Sequence, residues 1–345
     1  MGLLLEVIKK NAEDHPLINL AHCVNRRQRR FECRKCVQMC PKQVYDKELA
    51  VKPKWEECQN CGLCVTVCAS RCIAPSPVRI KQHLFLAKKQ GEIVVSCQRA
   101  QVKSDHVEAC IALLPWEFMA YLALGGKLIL NLKSCKDCPH EDCLELLNDQ
   151  LCHLKRFLGE EIFAHCIMLC RDEEQEKKPE GVSRRGFLRS LMNDGKTAGK
   201  MAALDAAGES IDGLIYRRML AKRVREFGKE RNFTCCVELP WFSEKCYGCG
   251  ICAKLCPNGA IEIGEAEDGK RRIWIMPHKC TACGVCKATC LEGGIEKLCA
   301  VHLSSLDRVV MTEVNSASCA RCGRAIPRNA EKTYCAVCRQ KIGKK

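Results

Sequence analysis

The chain has 345 residues, 32 of them cysteine, with 47% hydrophobic and 5% aromatic composition. That length suits two to four domains and excludes a disordered tail, while so much cysteine belongs either to small disulfide-stapled secreted domains, for which the chain is too long, or to metal-cluster proteins. The formal charge of +15 points to nucleic acid or an acidic surface as partner only if the thiols are neutral, because cysteines that bind metal as thiolates cancel part of it.

From the amino terminus, Met1 to Leu20 carries a Leu run followed by Lys9, Lys10, Glu13 and Asp14 without a small-residue cleavage site, so no secretory signal is expected. Next comes Cys23-x9-Cys33-x2-Cys36-x3-Cys40-Pro41, then the regular run Cys58-x2-Cys61-x2-Cys64-x3-Cys68. Arg26, Arg27, Arg29 and Arg30 in the expanded first gap read as a solvated loop, or as positive charge that would favour a reduced anionic centre and dock an acidic redox partner. The spacing returns as Cys246-x2-Cys249-x2-Cys252-x3-Cys256-Pro257 and Cys280-x2-Cys283-x2-Cys286-x3-Cys290. Between these two runs, Ala260-Ile261-Glu262-Ile263 and Arg272-Ile273-Trp274-Ile275 alternate about Asp268-Gly269, which predicts a hairpin.

The 246–290 unit resembles a bacterial-type 2x4Fe-4S ferredoxin domain, and 23–68 resembles a second, less regular copy. In two-cluster ferredoxins the fourth cysteine of each run ligates the other cluster. Carried over, this implies four 4Fe-4S sites: Cys23, Cys33, Cys36 and Cys68; Cys40, Cys58, Cys61 and Cys64; Cys246, Cys249, Cys252 and Cys290; and Cys256, Cys280, Cys283 and Cys286. Cys23 is the member set by the nonstandard gap. Aligning the copies puts Cys72 at the Ala260 position, where a small packed side chain is expected.

Residues 86–170 change character. Ile93-Val94-Val95 ends at Cys97, an apolar stretch runs from Cys110 through Pro115 to Leu124, and Leu128-Ile129-Leu130 leads to Cys135-x2-Cys138-Pro139-His140. This alternation predicts a small α/β layer, with Ile111 to Leu132 as helix, turn and buried strand rather than a membrane span, and with cysteines at the carboxyl ends of strands, where open α/β sheets place ligands. The pattern is similar to the delta subunit of the methyl-viologen-reducing hydrogenase, although most glycines of that family's motifs are missing. The resemblance implies a 2Fe-2S site at Cys97, Cys110, Cys135 and Cys138, with Cys143 as a substitute for one of them; reduced, metal-free packing is the other reading, and His140 reads as a cap. Cys152, Cys166 and Cys170 sit in apolar runs and read as packing.

Residues 171–184 form a charged linker, and Ser183-Arg184-Arg185-Gly186-Phe187-Leu188 resembles a twin-arginine motif lying mid-chain without a following apolar region. Ile211, Leu214, Ile215, Met219, Leu220 and Val224 then repeat at helical spacing among Arg217, Arg218, Lys222, Arg223 and Arg225. This predicts a basic helix packed on a ferredoxin unit, with a docking helix as the alternative. Cys235-Cys236 is a vicinal pair without a signal for a lowered pKa. At the carboxyl end, Cys319-x2-Cys322 and Cys335-x2-Cys338 form two knuckles 12 residues apart, a zinc-ribbon-like tetrathiolate pattern; rubredoxin-type iron is the alternative, although the Cys-Pro-x-Cys-Gly form is absent.

The expected fold class is α+β: a ferredoxin-like domain at 1–85, an α/β cysteine-containing domain at 86–170, a linker and basic helix at 171–232, a ferredoxin domain at 233–302 and a zinc-ribbon-like tail at 303–345. Neither GxxxxGK[ST], a strand-linked GxGxxG nor Gly-x-Ser-x-Gly occurs, so no intrinsic catalytic site is expected. The expected role is a cytoplasmic electron-transfer subunit of anaerobic metabolism, with four 4Fe-4S clusters, a further 2Fe-2S cluster and zinc. It would relay single electrons between a hydrogenase, dehydrogenase or reductase partner and an acceptor, without a membrane span or nucleic acid. Two rivals stand beside it: a redox enzyme reducing a disulfide or small substrate at the α/β cysteines, and a redox-responsive nucleic-acid-binding regulator.

Overall fold

In the computed structural model, residues 15–27, 32–45, 53–100, 102–139, 141–171, 212–231, 233–268, 270–328 and 333–342 are described. The charged linker, the twin-arginine-like segment, Arg29, Arg30 and His140 lie outside them.

The first unit is built from β1 (Leu17–Ile18), α1 (Val24–Arg27), α2 (Lys35–Gln38), α3 (Leu63–Val67) and β2 (Ile73–Ala74). β1 pairs antiparallel with β2, Leu17 opposite Ala74, and α2 packs on α3. Its small core contains Cys23, Cys36, Cys64, Cys68, Cys72, Val65, Tyr45 and Ile73, so sulfur supplies much of the buried volume in a chain poor in aromatics. α4 (Pro77–Leu86) follows; Ser76 caps it by accepting from the Arg79 amide at 3.3 Å, and Pro77 supplies a first-turn φ without wasting a donor.

The middle unit is an all-parallel four-stranded sheet in the order β4–β3–β5–β6, formed by β3 (Gly91–Cys97), β4 (His106–Glu108), β5 (Gly126–Asn131) and β6 (Ile167–Cys170). The apolar runs of β3 and β5 suit burial on both faces. α5 (Trp116–Ala123) is buried nearly all round, with Phe118, Met119 and Ala120 inaccessible to solvent, and it forms the hub of the core. α6 (Glu141–Leu158) is amphipathic: Leu147, Leu151, Leu154 and Phe157 face inward, whereas Cys152 is exposed and does not have the expected packing role. α7 (Glu160–Cys166) leads into β6, where Cys166 and Cys170 are buried as expected.

α8 (Ile215–Arg231) packs chiefly against α5 of the middle unit rather than on a ferredoxin unit, because its stripe of Ile215, Tyr216, Met219, Leu220 and Val224 finds its largest apolar partner there. β7 (Cys235–Phe242) then opens the last large unit, which continues through α9 (Ile251–Leu255), β8 (Ile261–Glu265), β9 (Arg271–Ile275), α10 (Val285–Thr289) and β10 (Ile295–Leu303). The predicted hairpin is present, Ile261 opposite Ile275. β7 and β10 form an antiparallel ribbon, and β11 (Val309–Glu313) adds to β9, making a three-stranded sheet. The last pieces are the hairpin of β12 (Ser316–Ser318) and β13 (Ala325–Pro327) and the short helix α11 (Ala336–Ile342). Among the described residues, no helix is long and apolar enough to cross a membrane.

Candidate metal centres and the junction between them

The cysteine runs fold into one loop form used repeatedly. After the last cysteine of each run, the residue three positions on has positive φ: Gln43 (49°), Arg71 (56°), Gly259 (58°) and Gly293 (65°). The amide one further on donates back to the cysteine sulfur: Val44 to Cys40 at 3.4 Å, Cys72 to Cys68 at 3.3 Å, Ala260 to Cys256 at 3.2 Å and Gly294 to Cys290 at 3.2 Å. In three runs the residues flanking the second cysteine are also left-handed: Asn60 and Gly62, Gly248 and Gly250, and Ala282 and Gly284. Alternating right- and left-handed residues turns successive N–H groups toward one point, which makes an anion-binding concavity. A left-handed Asn, Gln, Ala or Arg carries strain, and strain of this kind collects at functional sites. The Cys33–Cys36 run departs: Arg34 has φ −122°, and α1 occupies the expanded gap where the tight turn would be.

The four expected sets gather in space. Burial pushes the Cys36 thiol up to about 12, helped by Cys68, Cys33 and Cys23 beside it; burial does the same at Cys64, with Cys61, Cys58 and Cys40 nearby. In the second ferredoxin unit, burial raises Cys252 to about 12 in the field of Cys246, Cys249 and Cys290, and it raises Cys286, which Cys280, Cys283, Cys252 and Cys256 surround. Cys252 and Cys286 thus connect that unit's two sets. Thiolates clustered here without counter-charge would be costly, and iron supplies that counter-charge, so the residues present fit a thiolate-ligated cube. Cys72 is buried as expected, and it also stands between two of these thiols: its Sγ lies 3.5 Å from Cys68 Sγ, and its hydrogen bonding lowers the pKa values of Cys23 and Cys68.

The middle unit brings five cysteines together. Cys97 ends β3, Cys110 precedes the turn at 111–113, Cys135 and Cys138 follow β5, and Cys143 lies in the first turn of α6. This is the carboxyl edge of the parallel sheet, at the point where the chain leaves β3 toward β4 on one side and β5 on the other. Burial raises Cys135 in the field of Cys97 and Cys138; burial takes Cys110 to about 12, and Cys143 is its hydrogen-bond partner. Cys61 of the first unit acts on Cys143, so the five-thiol site adjoins the Cys40 set. The Thr66 hydroxyl of α3, donating to the Leu113 carbonyl at 3.2 Å, holds the two units together there.

The first unit and the 235–303 unit meet through buried polar side chains. The Asn258 amide donates to the Ser70 carbonyl at 3.1 Å and to the Thr281 hydroxyl at 3.4 Å, while its oxygen lies 3.1 Å from His22 Nδ1. Arg27 Nη1 donates to the Lys254 carbonyl at 3.3 Å, so this arginine of the expanded gap is committed to the other unit. Nearby, Arg71 Nη2 reaches both oxygens of Glu117 at 2.8 and 2.9 Å, and Arg217 Nε reaches Oε1 at 3.3 Å and, through Nη1, the Pro277 carbonyl. Burial disfavours the Glu117 carboxylate, yet Arg71 and Arg217 hold its pKa below the ordinary range. A cleft of about 510 Å³ opens beside this network, bounded by Cys68, Arg71, His153, Arg217, Glu238 and Ala282.

The basic residues of α8 are largely engaged internally: Arg217 as above, Arg218 with Asp212 at 2.8 Å, Arg223 over the Tyr121 ring at 4.6 Å, and Arg225 with Asp307 at 3.4 Å. Cys235 is fully buried and pushed up to about 12 by that burial, which leaves the vicinal pair without an activated thiolate. His83, His106 and Glu108 form a largely buried group that no motif in the sequence singles out. His83 Nε2 and His106 Nε2 lie 2.7 and 3.0 Å from Glu108 Oε1, and Arg79 lies 3.5 Å from the other oxygen. Arg79 already supplies the charge this carboxylate needs, so the group is a hydrogen-bonded network tying α4, β4 and Tyr216 of α8. At the carboxyl end, the ligand atoms of Cys319, Cys322, Cys335 and Cys338 lie within 4.8 Å of one another, Cys322 at the surface and the others buried. The Cys335 amide donates to Cys319 Sγ at 3.3 Å, the form expected of a tetrathiolate knuckle.

Residues 245–294 match the family described as the 4Fe-4S dicluster domain. The chain therefore contains an iron–sulfur domain of the class that suggests electron transfer. No curated protein and no solved structure matches the chain.

Proposed function

We propose that the protein is an iron–sulfur electron-transfer subunit of the polyferredoxin kind, with four 4Fe-4S sites held by the Cys23, Cys40, Cys246 and Cys256 sets. It would relay single electrons between a hydrogenase, dehydrogenase or reductase partner and an acceptor. The observation that carries this reading is the fourfold loop in which the last cysteine of each run accepts the amide four residues on. A 4Fe-4S cluster, when bound, takes up and gives back one electron. The chain's part is to exclude water, fix the thiolates and donate N–H groups to sulfur, which tunes the potential. The five thiols of the middle unit would hold a further 2Fe-2S cluster, and the tail a structural zinc.

Anaerobic purification with iron, sulfide and zinc analysis and electron paramagnetic resonance tests this. About 16 irons per chain are expected from four cubes, about 18 with a 2Fe-2S site, and one zinc. A colourless preparation with negligible iron would refute it. One observation favours a second reading: the middle unit offers one thiol more than a 2Fe-2S cluster needs, and Cys110 and Cys143 are hydrogen-bond partners. A thiol not needed by metal could reduce a disulfide substrate once deprotonated, which oxidation of the reduced protein by added disulfide, lost in Cys143→Ser, would reveal.

A further inference from the structure

Resting on that reading, we infer that the cysteine sets form one ordered line: the Cys246 set, the Cys256 set, the Cys23 set, the Cys40 set and then the five-thiol site, with Asn258 as the junction where one ferredoxin unit hands over to the other. Every residue of the junction lies beside a ligand of one of the two inner sets. Asn258 follows Cys256 by two positions and Thr281 follows Cys280 by one; Ser70 follows Cys68 by two and His22 precedes Cys23 by one. No residue of these hydrogen bonds adjoins a ligand of an outer set; Lys254, the acceptor from Arg27 across the same units, lies two residues from both Cys252 and Cys256.

The Asn258–Ser70 hydrogen bond therefore closes a short bonded path, Cys256–Pro257–Asn258 to Ser70–Ala69–Cys68, between the two inner sets. A second bridge runs parallel to it. Arg71, three residues after Cys68, joins Glu117, which joins Arg217, and Arg217 reaches both the Pro277 carbonyl and the field of Cys280. At the far end of the first unit, the Thr66 hydroxyl, two residues after Cys64, donates to the Leu113 carbonyl, three residues after Cys110, so the line continues into the middle unit. Each transfer moves one electron between neighbouring clusters, the one oxidised as the other is reduced, with no atom exchanged.

The order is tested in the full chain, kept anaerobic and reduced with dithionite. In one variant, Cys246→Ser, Cys249→Ser, Cys58→Ser and Cys61→Ser remove the outer sets; in the converse, Cys280→Ser, Cys283→Ser, Cys33→Ser and Cys36→Ser remove the inner ones. Each should keep about 8 of the ~16 cubane irons. The inner pair should give a resonance broadened by spin–spin interaction and the outer pair two independent signals; two independent signals from an iron-loaded inner pair would overturn the order. Independently, Asn258→Ala in the otherwise intact chain should raise amide exchange at residues 68–72 about five- to tenfold, the loss of roughly one hydrogen bond, with 246–252 unchanged. Unchanged exchange at 68–72 would overturn the junction. Negligible iron in the unaltered protein would instead refute the proposed function, and the line of clusters with it.

Discussion

Replacing Glu117 by Gln tests whether the buried charge network holds the inner loop of the first unit. The Glu117 side chain is 2% exposed and lies between guanidinium groups that are 12% and 10% exposed, at 2.8 Å from Arg71 and 3.3 Å from Arg217. Glutamine keeps the shape and an acceptor but leaves both cations without their counter-charge. Removing one partner of a buried pair costs about 3–5 kcal/mol. For a domain of this size each kcal/mol lowers the melting temperature by about 2–4 °C, so a drop of roughly 6–20 °C is expected in anaerobic circular dichroism melts. The triple change Glu117→Leu, Arg71→Met and Arg217→Met should recover much of this, because an apolar replacement leaves no orphan charge. The pH dependence has a definite sign. Because the folded-state pKa is depressed, the carboxylate's stabilising effect is present above its unfolded value near 4.3 and is lost as pH falls through the folded value. The Gln variant should lack that share of acid sensitivity. A Gln variant melting within about 2 °C of the unaltered protein would show that the network is incidental.

Cys23→Ala should lose about four irons, since Cys23 is buried beside Cys33, Cys36 and Cys68, whereas Cys72→Ala should keep them; iron analysis separates the two. Gly213→Ala would place a methyl 1.7 Å from the Arg71 carbonyl oxygen, a backbone clash that no rotamer relieves, and should cost at least about 1–3 kcal/mol in urea unfolding. Cys335→Ser should release the zinc while leaving the iron count intact, by metal analysis of one sample. Arg217→Met removes a cation acting on Cys280 and should lower the potential of the Cys256 set in a redox titration followed by magnetic resonance.

Part of the site was legible because thiolate ligation leaves rigid spacing: the runs ending at Cys68, Cys256 and Cys290 marked cysteines that fold into one repeated loop form, and the β8–β9 hairpin followed from strict alternation. The expanded gap after Cys23 was legible as an irregularity, but not as the helix α1 that opens it. The placement of α8 was not legible. Its stripe from Ile215 to Val224 says that one face is buried and is silent about which surface covers it; the choice fell to α5, whose apolar girth exceeds anything a ferredoxin unit offers. Nor could local pattern show that β11 joins β9, since pairing across 34 residues carries no signature in either strand.

The junction was written in the sequence in a form that only the fold makes readable. Asn258 and Ser70 occupy the same position, two residues after the last cysteine of their runs, so the two ferredoxin units touch through equivalent loops. The sulfur sets whose ligands adjoin this contact are the Cys23 and Cys256 sets. Arg71 and Arg217 share one carboxylate, which leaves a net positive charge in this buried network, while Arg218, Arg223 and Arg225 of α8 are matched by acids or stacked on a ring. A cation in that place stabilises an added electron on either inner cluster. In the proposed line that charge would lie at the handover between units and would make it the electron-attracting part of the path.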